Sequence, residues 1–364
     1  MLVSILLVGA GLAALLVGGT AVVSSSVTIA HRLGISAAVI GLTVVAFGTS
    51  APEMAVSVLA SFQGNPGIAV GNVFGSNIFN ILVAIGAAAC VAPVVLEPSV
   101  LRKEVPICIA ANLVVLVFAF TGGRINTWEG FDLVIALFVF LLWCVRTAQN
   151  NPAEIDAEPE SERAPLPALL FAGGSALVLS RTDVGWDWAI IGLVVGLVLV
   201  WFLEPDPQSE KPNSSASLWI YLAAAIGILI TGAEVLVRGA SEIGANMGIS
   251  EPVIGLTVVA IGTSAPELAT SLIAARRGEL GLAVGNALGS NLFNLLGVLG
   301  FAAFVRAVPV EPRFVTIDGW LALGTVVLLP LLARRAGVLE RSHGIMMVGC
   351  WVLYTLSLVV FALI

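Results

Sequence analysis

Charged residues are scarce in this sequence. Asp, Glu, Lys and Arg make up 11% of the 364 residues, whereas apolar residues make up 59%. Soluble domains carry about 25% charged residues, which they need to cover a surface in contact with water. A mean hydropathy of +1.05 has the same implication. These values exclude an ordinary water-soluble domain and predict an integral membrane protein.

The chain also has few residues that bind transition metals or nucleic acids. It contains 2 histidines and 4 cysteines, and the cysteines form no CxxC pair. This disfavours a zinc enzyme, and we interpret the cysteines as small apolar residues. A net charge of −7 leaves no basic patch for a nucleic acid backbone. Because the apolar segments hold no nucleophile–base pair either, we expect no enzyme and no prosthetic group.

The apolar residues fall in segments of membrane-spanning length. A helix needs roughly 20 such residues to cross the hydrocarbon. Ten segments qualify, at 2–24, 36–61, 67–91, 104–121, 130–146, 217–236, 252–275, 280–305, 315–333 and 343–364. Two further apolar runs, 166–180 and 186–203, predict an extra hairpin over 166–203. The sequence therefore predicts an all-α polytopic membrane protein of ten spans, or twelve with the hairpin. We interpret the first segment as a transmembrane helix and not as a signal peptide, because no basic residue precedes it.

The loop charges predict an orientation. With the N-terminus outside the cell, eleven Lys and Arg residues face the cytoplasm and five face outward. Cytoplasmic loops are normally the richer in Lys and Arg. We therefore expect both termini outside the plasma membrane and the acidic part of the 148–216 linker, near 148–165, in the cytoplasm. We expect no obligatory protein partner.

An internal repeat organises the chain. Residues 41–87 align with 255–301 without a gap, and 28 of the 47 positions are identical. Each half, 1–147 and 217–364, then carries five spans. An odd number of spans per half, with an even number between the halves, predicts that the halves cross the membrane in opposite directions. This is the inverted-repeat plan of secondary transporters, with the binding site where the halves meet.

The repeat contains the only two acidic residues that we place deep inside long apolar segments, Glu53 and Glu267. A carboxylate is costly in the membrane, so an intramembrane one indicates a functional site. Two facing carboxylates repel each other unless a cation or a proton lies between them. Hard oxygen ligands of this kind suit Ca²⁺ and Na⁺. Pro52 and Pro266 precede the two residues and are expected to interrupt the helices there.

Further oxygen donors stand at helical spacing from the carboxylates. Thr49 and Thr263 lie one turn before them, with a serine beside each threonine. The next helix of each half carries a serine and an asparagine one turn apart. The full set of candidate neutral ligands is Thr49, Thr263, Ser50, Ser264, Ser76, Ser290, Asn80 and Asn294.

Other polar residues have structural interpretations. Glu234 and Arg238 are one helical turn apart and are expected to form an ion pair. Asn72 and Asn286 are expected to cap or cross-link helices. Small residues spaced by four, such as Gly71 and its neighbour at 75, favour close helix approach.

The duplicated motifs resemble a known family. GTSAPE followed by GNVFGSNIFN, and GTSAPE followed by GNALGSNLFN, are similar to the sodium/calcium exchanger branch of the cation/Ca²⁺ antiporter superfamily. The glutamate of the GNxxE motif, typical of the proton-coupled branch, is absent. The resemblance implies exchange of Na⁺ for Ca²⁺ by sliding of the first two spans of each half against a core.

The resemblance also implies ligand sets. Ca²⁺ would bind between Glu53 and Glu267, helped by backbone oxygens near Thr49 and Thr263. The implied Na⁺ ligands are Ala46, Ser50 and Ser76 in one half and Ala260, Thr263, Ser264 and Ser290 in the other. Some relatives, including the K⁺-dependent exchangers, carry Asp where this chain has Asn294. The site then has two carboxylates, which argues against K⁺ co-transport and leaves the ion ratio open.

Other functions remain compatible with the sequence. A Ca²⁺/H⁺ antiporter on the same scaffold would use protons on the two glutamates in place of Na⁺. A cation channel would need no counter-ion. The dependence of Ca²⁺ flux on Na⁺, on pH or on neither separates these alternatives.

Overall fold

The computed structural model describes residues 2–32, 49–96, 98–149, 215–277, 280–333 and 337–363. The predicted hairpin of 166–203 and the acidic linker lie outside these residues, as does Ala46. Within the described ranges the chain is almost entirely helical.

The helices are numbered along the chain, one half after the other. The first half contains α1 (Leu2–Arg32), α2 (Ala51–Gln63), α3 (Pro66–Val91), α4 (Pro98–Arg102), α5 (Glu104–Gly122) and α6 (Thr127–Gln149). The second half contains α7 (Ser215–Met247), α8 (Glu251–Thr263), α9 (Ala265–Arg277), α10 (280–305), α11 (Phe314–Leu332) and α12 (Arg341–Leu363).

Long apolar helices confirm a membrane protein. Seven helices of the described residues are long and apolar enough to span a bilayer, or eight when α8 and α9 count as one bent span. They match the expected segments from 67–91 onward. Helix α1 covers the first expected segment, and α2 is the described part of the second.

The helix breaks form where the prolines predict them. Helix α2 begins after Ser50 (φ −87°, ψ 6°), and α9 begins after Ser264 (φ −87°, ψ 9°), both outside helical geometry. Each proline lies in the first turn of the new helix, where its missing N–H removes no internal hydrogen bond. Helices α8 and α9 are bent by 43° at this point.

Helices α3 and α10 form the centre of the molecule. In the apolar part of α3, 89% of the residues are buried, and in that of α10, 78% are buried. The value for α12 is 17%. Both helices widen to π-helical geometry, at Asn80–Ile85 and Phe293–Val298. Such segments are rare and are often found at functional sites.

Two short antiparallel ribbons join the halves. The strands are β1 (Val94–Val95), β2 (Arg124–Ile125), β3 (Val308–Pro309) and β4 (Val338–Leu339). Strand β1 pairs with β4, and β2 pairs with β3. Each strand thus pairs with a strand of the other half. These ribbons are an addition to the all-α expectation, because loops between helices can still satisfy their backbone groups by pairing.

Helix packing is closest where glycines face a neighbouring backbone. A Cβ atom on Gly71 of α3 would lie 2.7 Å from the carbonyl oxygen of Pro252 in α8. A Cβ on Gly11 of α1 would lie 2.6 Å from the backbone nitrogen of Leu236 in α7. The small residues therefore allow the close helix approach that the spacing predicts.

Candidate functional site

The acidic residues of the repeat occupy equivalent places. Glu53 lies in the first turn of α2, and Glu267 lies in the first turn of α9. Both side chains are fully buried. The two helix breaks that carry them are in contact, because Ser264 of the second break hydrogen-bonds to Glu53 of the first. The two halves thus bring their carboxyl groups together in a site that excludes bulk water.

The carboxyl group of Glu53 is held by the other half of the molecule. Ser264 Oγ donates a hydrogen bond of 2.9 Å to Glu53 Oε1. Next to it, Thr263 Oγ1 donates to Asn72 Oδ1 at 2.9 Å. Asn72 Nδ2 in turn donates to the backbone oxygen of Glu53 at 3.3 Å and to Ser57 Oγ at 2.9 Å. Asn72 therefore cross-links the helices, as its position in the repeat predicts.

The carboxyl group of Glu267 is held mainly by its own half. Ser290 Oγ in α10 donates to Glu267 Oε1 at 3.3 Å. Thr49 comes from the first half, and its Oγ1 lies 3.3 Å from Ser290 Oγ. Among the described residues, the hydroxyl of the neighbouring Ser50 has no hydrogen-bond partner.

Several oxygen atoms of the site have no hydrogen-bond partner within the described structure. They belong to buried side chains from both halves. They are Glu53 Oε2, Glu267 Oε2, Ser50 Oγ, Ser76 Oγ, Asn80 Oδ1 and Asn294 Oδ1. A buried polar atom without a partner costs about 1–3 kcal/mol. These six oxygens, which we call the cluster, lie on helices that pack against one another, and they match the ligand chemistry of a hard cation such as Ca²⁺ or Na⁺.

Asn77 and Asn291 hold the two asparagines of the cluster, Asn80 and Asn294, in place. Asn77 Nδ2 donates to the backbone oxygen of Asn291 at 3.4 Å, and Asn291 Nδ2 donates to that of Asn77 at 3.1 Å. Their side-chain oxygens accept from the next turn: Asn80 Nδ2 donates to Asn291 Oδ1, and Asn294 Nδ2 donates to Asn77 Oδ1, both at 3.1 Å. These bonds occupy the amide nitrogens of Asn80 and Asn294, so their oxygens remain available to a ligand.

Asn77 and Asn291 were not among the functional residues predicted from the sequence. Both are fully or almost fully buried. They could have been predicted because the same residue, asparagine, follows Ser76 in one copy of the repeat and Ser290 in the other.

Ala260 lies beside the cluster. It is buried on α8, and its backbone oxygen accepts from Ser264 N at 3.0 Å. A Cβ on Gly75 would approach the Ala260 Cβ to 2.7 Å, so Ala260 packs one residue from Ser76 on α3. The structure thus gathers Ala260 with the other described candidates.

Two acidic residues outside the cluster have cationic partners. Glu234 and Arg238 form the expected ion pair within α7. Asp318 was not expected: it is fully buried in α11. Asp318 Oδ2 accepts from Arg313 Nε at 2.9 Å, and its Oδ1 accepts from Tyr354 OH at 2.8 Å. Asp318 is thus a further fully buried acidic residue, near the start of the expected segment 315–333, and its burial was not predicted from the sequence.

The donor set indicates the class of ion. Among the residues that the structure describes, no group of three or more His, Cys, Asp or Glu side chains could hold a metal. The cluster instead combines two carboxylates with neutral hydroxyl and amide oxygens. Such ligands suit weakly held, exchangeable Ca²⁺ and Na⁺ more than transition metals.

The chain is similar to known membrane proteins over almost its whole length. The Inner membrane protein YrbG of Escherichia coli is 30% identical over 355 residues, which cover 97% of this chain and 96% of YrbG. The Sodium/calcium exchanger MaX1 of Methanosarcina acetivorans is 28% identical and covers 98% of both chains. A solved structure of the sodium-calcium exchanger NCX_Mj, soaked with Na⁺ and Sr²⁺, matches with a TM-score of 0.58 and 27% identity over 97% of both chains.

The family match covers both halves of the chain. The model of the family described as sodium/calcium exchanger protein matches residues 3–146 and 217–360. Together these segments make up most of the sequence. The chain therefore belongs to the sodium/calcium exchanger protein family.

Proposed function

We propose that this protein exchanges Na⁺ for Ca²⁺ across the membrane by alternating access, with Glu53 and Glu267 at the shared ion site. The observation that carries the proposal is the pair of fully buried carboxyl groups, each with one oxygen that lacks a hydrogen-bond partner among the described residues. Four further buried side-chain oxygens of the cluster also lack a hydrogen-bond partner among the described residues. Family membership supports exchange of Ca²⁺ against another cation, and the neutral oxygens support Na⁺ as that cation.

Charge balance gives the exchange its obligatory character. Two carboxylates neutralise one Ca²⁺, and the same two can be shared by several Na⁺ ions. An empty site would carry two uncompensated charges into a low-dielectric environment, where charge is costly. The protein should therefore change its accessibility readily only when cations occupy the site. Transport of one ion is then coupled to the return of the other.

Each candidate residue has a role in this proposal. Ca²⁺ binds between Glu53 and Glu267, with help from backbone oxygens near Thr49 and Thr263. The Na⁺ ligands and the flanking amide oxygens are Ala46, Ser50, Ser76, Asn80, Ala260, Thr263, Ser264, Ser290 and Asn294. Because Asn294 is neutral, the site has two carboxylates, and we expect no K⁺ requirement.

The architecture in this proposal is that of two inverted five-helix repeats. Reciprocal contacts support it: Asn77 and Asn291 are equivalent and bond to each other, and the repeat offset converts each of the two ribbons into the other. The family match also leaves 147–216 between its two segments. We assign 1–147 and 217–364 to the repeats and 148–216 to a cytoplasmic linker with the hairpin of 166–203. Both termini are then outside the cell.

The counter-ion is tested in proteoliposomes with the wild-type protein. Vesicles loaded with Na⁺ are diluted into Na⁺-free buffer that contains radioactive Ca²⁺, with K⁺-loaded and choline-loaded vesicles as controls. Na⁺/Ca²⁺ exchange predicts uptake only into the Na⁺-loaded vesicles. Uptake that ignores Na⁺ and follows an imposed pH gradient would instead assign the second function, Ca²⁺/H⁺ antiport. Flux that needs no counter-ion would indicate a channel.

A further inference from the structure

The two helix breaks are bonded differently, although their sequences are the same. The break of the second half docks on the first half through two hydrogen bonds of 2.9 Å each. Thr263 donates to Asn72, and Ser264 donates to Glu53. We refer to these two hydrogen bonds, Thr263–Asn72 and Ser264–Glu53, as the docked latch.

The equivalent bonds of the first break are not made. The repeat predicts that Thr49 would pair with Asn286 and Ser50 with Glu267. Within the described residues, however, both side-chain amide atoms of Asn286 and the hydroxyl of Ser50 have no partner. Thr49 contacts Ser290 instead. We refer to the set Thr49, Ser50, Asn286 and Glu267 as the open latch.

The serines behind the two latches show the same difference. In the docked latch, Asn72 also donates to Ser57 at 2.9 Å. The residue equivalent to Ser57 is Ser271, and its hydroxyl has no partner among the residues described. Asn72 is 0% exposed, and Asn286 is 7% exposed. Three equivalent polar positions therefore differ in the same direction, which one displaced side chain would not produce.

We propose that Asn72 and Asn286 are alternating positioning residues of the transport cycle, with one latch docked while the other is open. This proposal rests on the proposed exchange function. The identical side chains allow the molecule to make either set of bonds at similar free energy. Docking of one break closes that end of the ion site, whereas the partnerless groups of the other end, which are buried from bulk solvent, are left to bind the ion. When the latches exchange, access moves to the other face of the membrane.

This role is distinct from ion binding. The Asn72 side chain already uses both amide hydrogens, on Ser57 and the Glu53 backbone, and its oxygen accepts from Thr263. It therefore has little capacity left for a cation, and it acts on the site through the position of the break. Removing it should change which face the site is open to, without removing a ligand.

The proposal predicts opposite effects for two matched variants. Asn72→Ala weakens the docked latch and should move the population toward the opposite-facing state, whereas Asn286→Ala should stabilise the present state. Apparent affinity at a face scales with the fraction of molecules open to that face. We therefore expect the ratio of half-saturating Ca²⁺ concentrations at the two faces to change by roughly 2- to 10-fold, the effect of one buried hydrogen bond, in opposite directions. The double variant should return the ratio toward that of the wild type.

The measurement uses membrane vesicles of right-side-out and inside-out orientation. Asn112→Ala is the control, because Asn112 is a buried asparagine that donates to Cys108 O of its own helix at 2.8 Å. It should leave the ratio unchanged. A shift in the same direction for both latch variants, or no shift in either, would overturn the latch proposal.

Hydrogen–deuterium exchange of the purified protein supplies a readout that does not need transport. Asn72→Ala should raise exchange around Thr263 and lower it around Thr49, and Asn286→Ala should do the reverse. Opposite changes support the latches even if Na⁺ proves not to be the counter-ion. Parallel changes in the two variants contradict the latches even if Na⁺/Ca²⁺ exchange is established.

Discussion

Asn77 and Asn291, which are 214 positions apart, each donate a side-chain hydrogen bond to the backbone oxygen of the other. They are equivalent residues of the two repeats, and their helices α3 and α10 cross at this point. A reciprocal pair of this kind requires that the two helices meet in the same way from both sides. The relationship explains why both halves keep the sequence GSN at this position.

Replacement of this pair should destabilise the protein. Asn77→Ala removes the side-chain bond to the backbone oxygen of Asn291 and leaves the amide nitrogen of Asn294 without its acceptor. Each buried group left unpaired costs about 1–3 kcal/mol. We expect a lower thermal unfolding midpoint in detergent than for Asn112→Ala, whose side chain bonds only within its own helix. In a double-mutant cycle, Asn291→Ala should add less than its separate effect. Full additivity would contradict the coupling.

The contact between α3 and α8 should not tolerate a methyl group. In Gly71→Ala the new Cβ would meet backbone atoms of Pro252, Gly255 and Leu256 at 2.7–2.9 Å. Backbone cannot move aside as a side chain can, so overpacking should cost about 1–3 kcal/mol. Gly324→Ala is the matched control, since a Cβ on Gly324 would meet no atom of the described residues within 4 Å. Thermal unfolding should separate the two variants, and equal midpoints would contradict this account of the interface.

The buried Asp318 should contribute to stability and not to ion binding. Tyr354→Phe removes one hydrogen bond to a charged group, worth about 1.5–3 kcal/mol. Asp318→Asn also removes the charge that pairs with Arg313 and should cost more. Both variants are expected to unfold at lower temperature while the half-saturating Ca²⁺ concentration stays unchanged. A large change in Ca²⁺ affinity would instead make Asp318 part of the transport site.

The spans and the two glutamates could be predicted from the sequence because their signals are local. An apolar segment of about 20 residues is typical of a membrane-spanning helix. A carboxylate within such a helix is costly, so its presence indicates a functional site. The repeat strengthened the prediction of a functional site, since Glu53 and Glu267 occur at identical positions in it. The proline of each break predicted the helix ends at Ser50 and Ser264.

The pairing of distant side chains could not be predicted in this way. Asp318 stands at the start of its apolar segment, and its burial depends on Tyr354, which is 36 residues away. The different bonding of Asn72 and Asn286 is a property of the conformation, because the residues that form the two latches are identical in both repeats. Only the structure distinguishes the docked latch from the open one.

The most direct test of the central claim is Na⁺-driven Ca²⁺ uptake by Glu53→Gln and Glu267→Gln in proteoliposomes. Glutamine keeps the shape of the side chain and removes the charge that should balance Ca²⁺. Glu234→Gln is the control, because Glu234 is a carboxylate on a spanning helix that pairs with Arg238 outside the cluster. We predict that uptake is lost in both site variants and retained in the control. Normal uptake by either site variant would contradict the account.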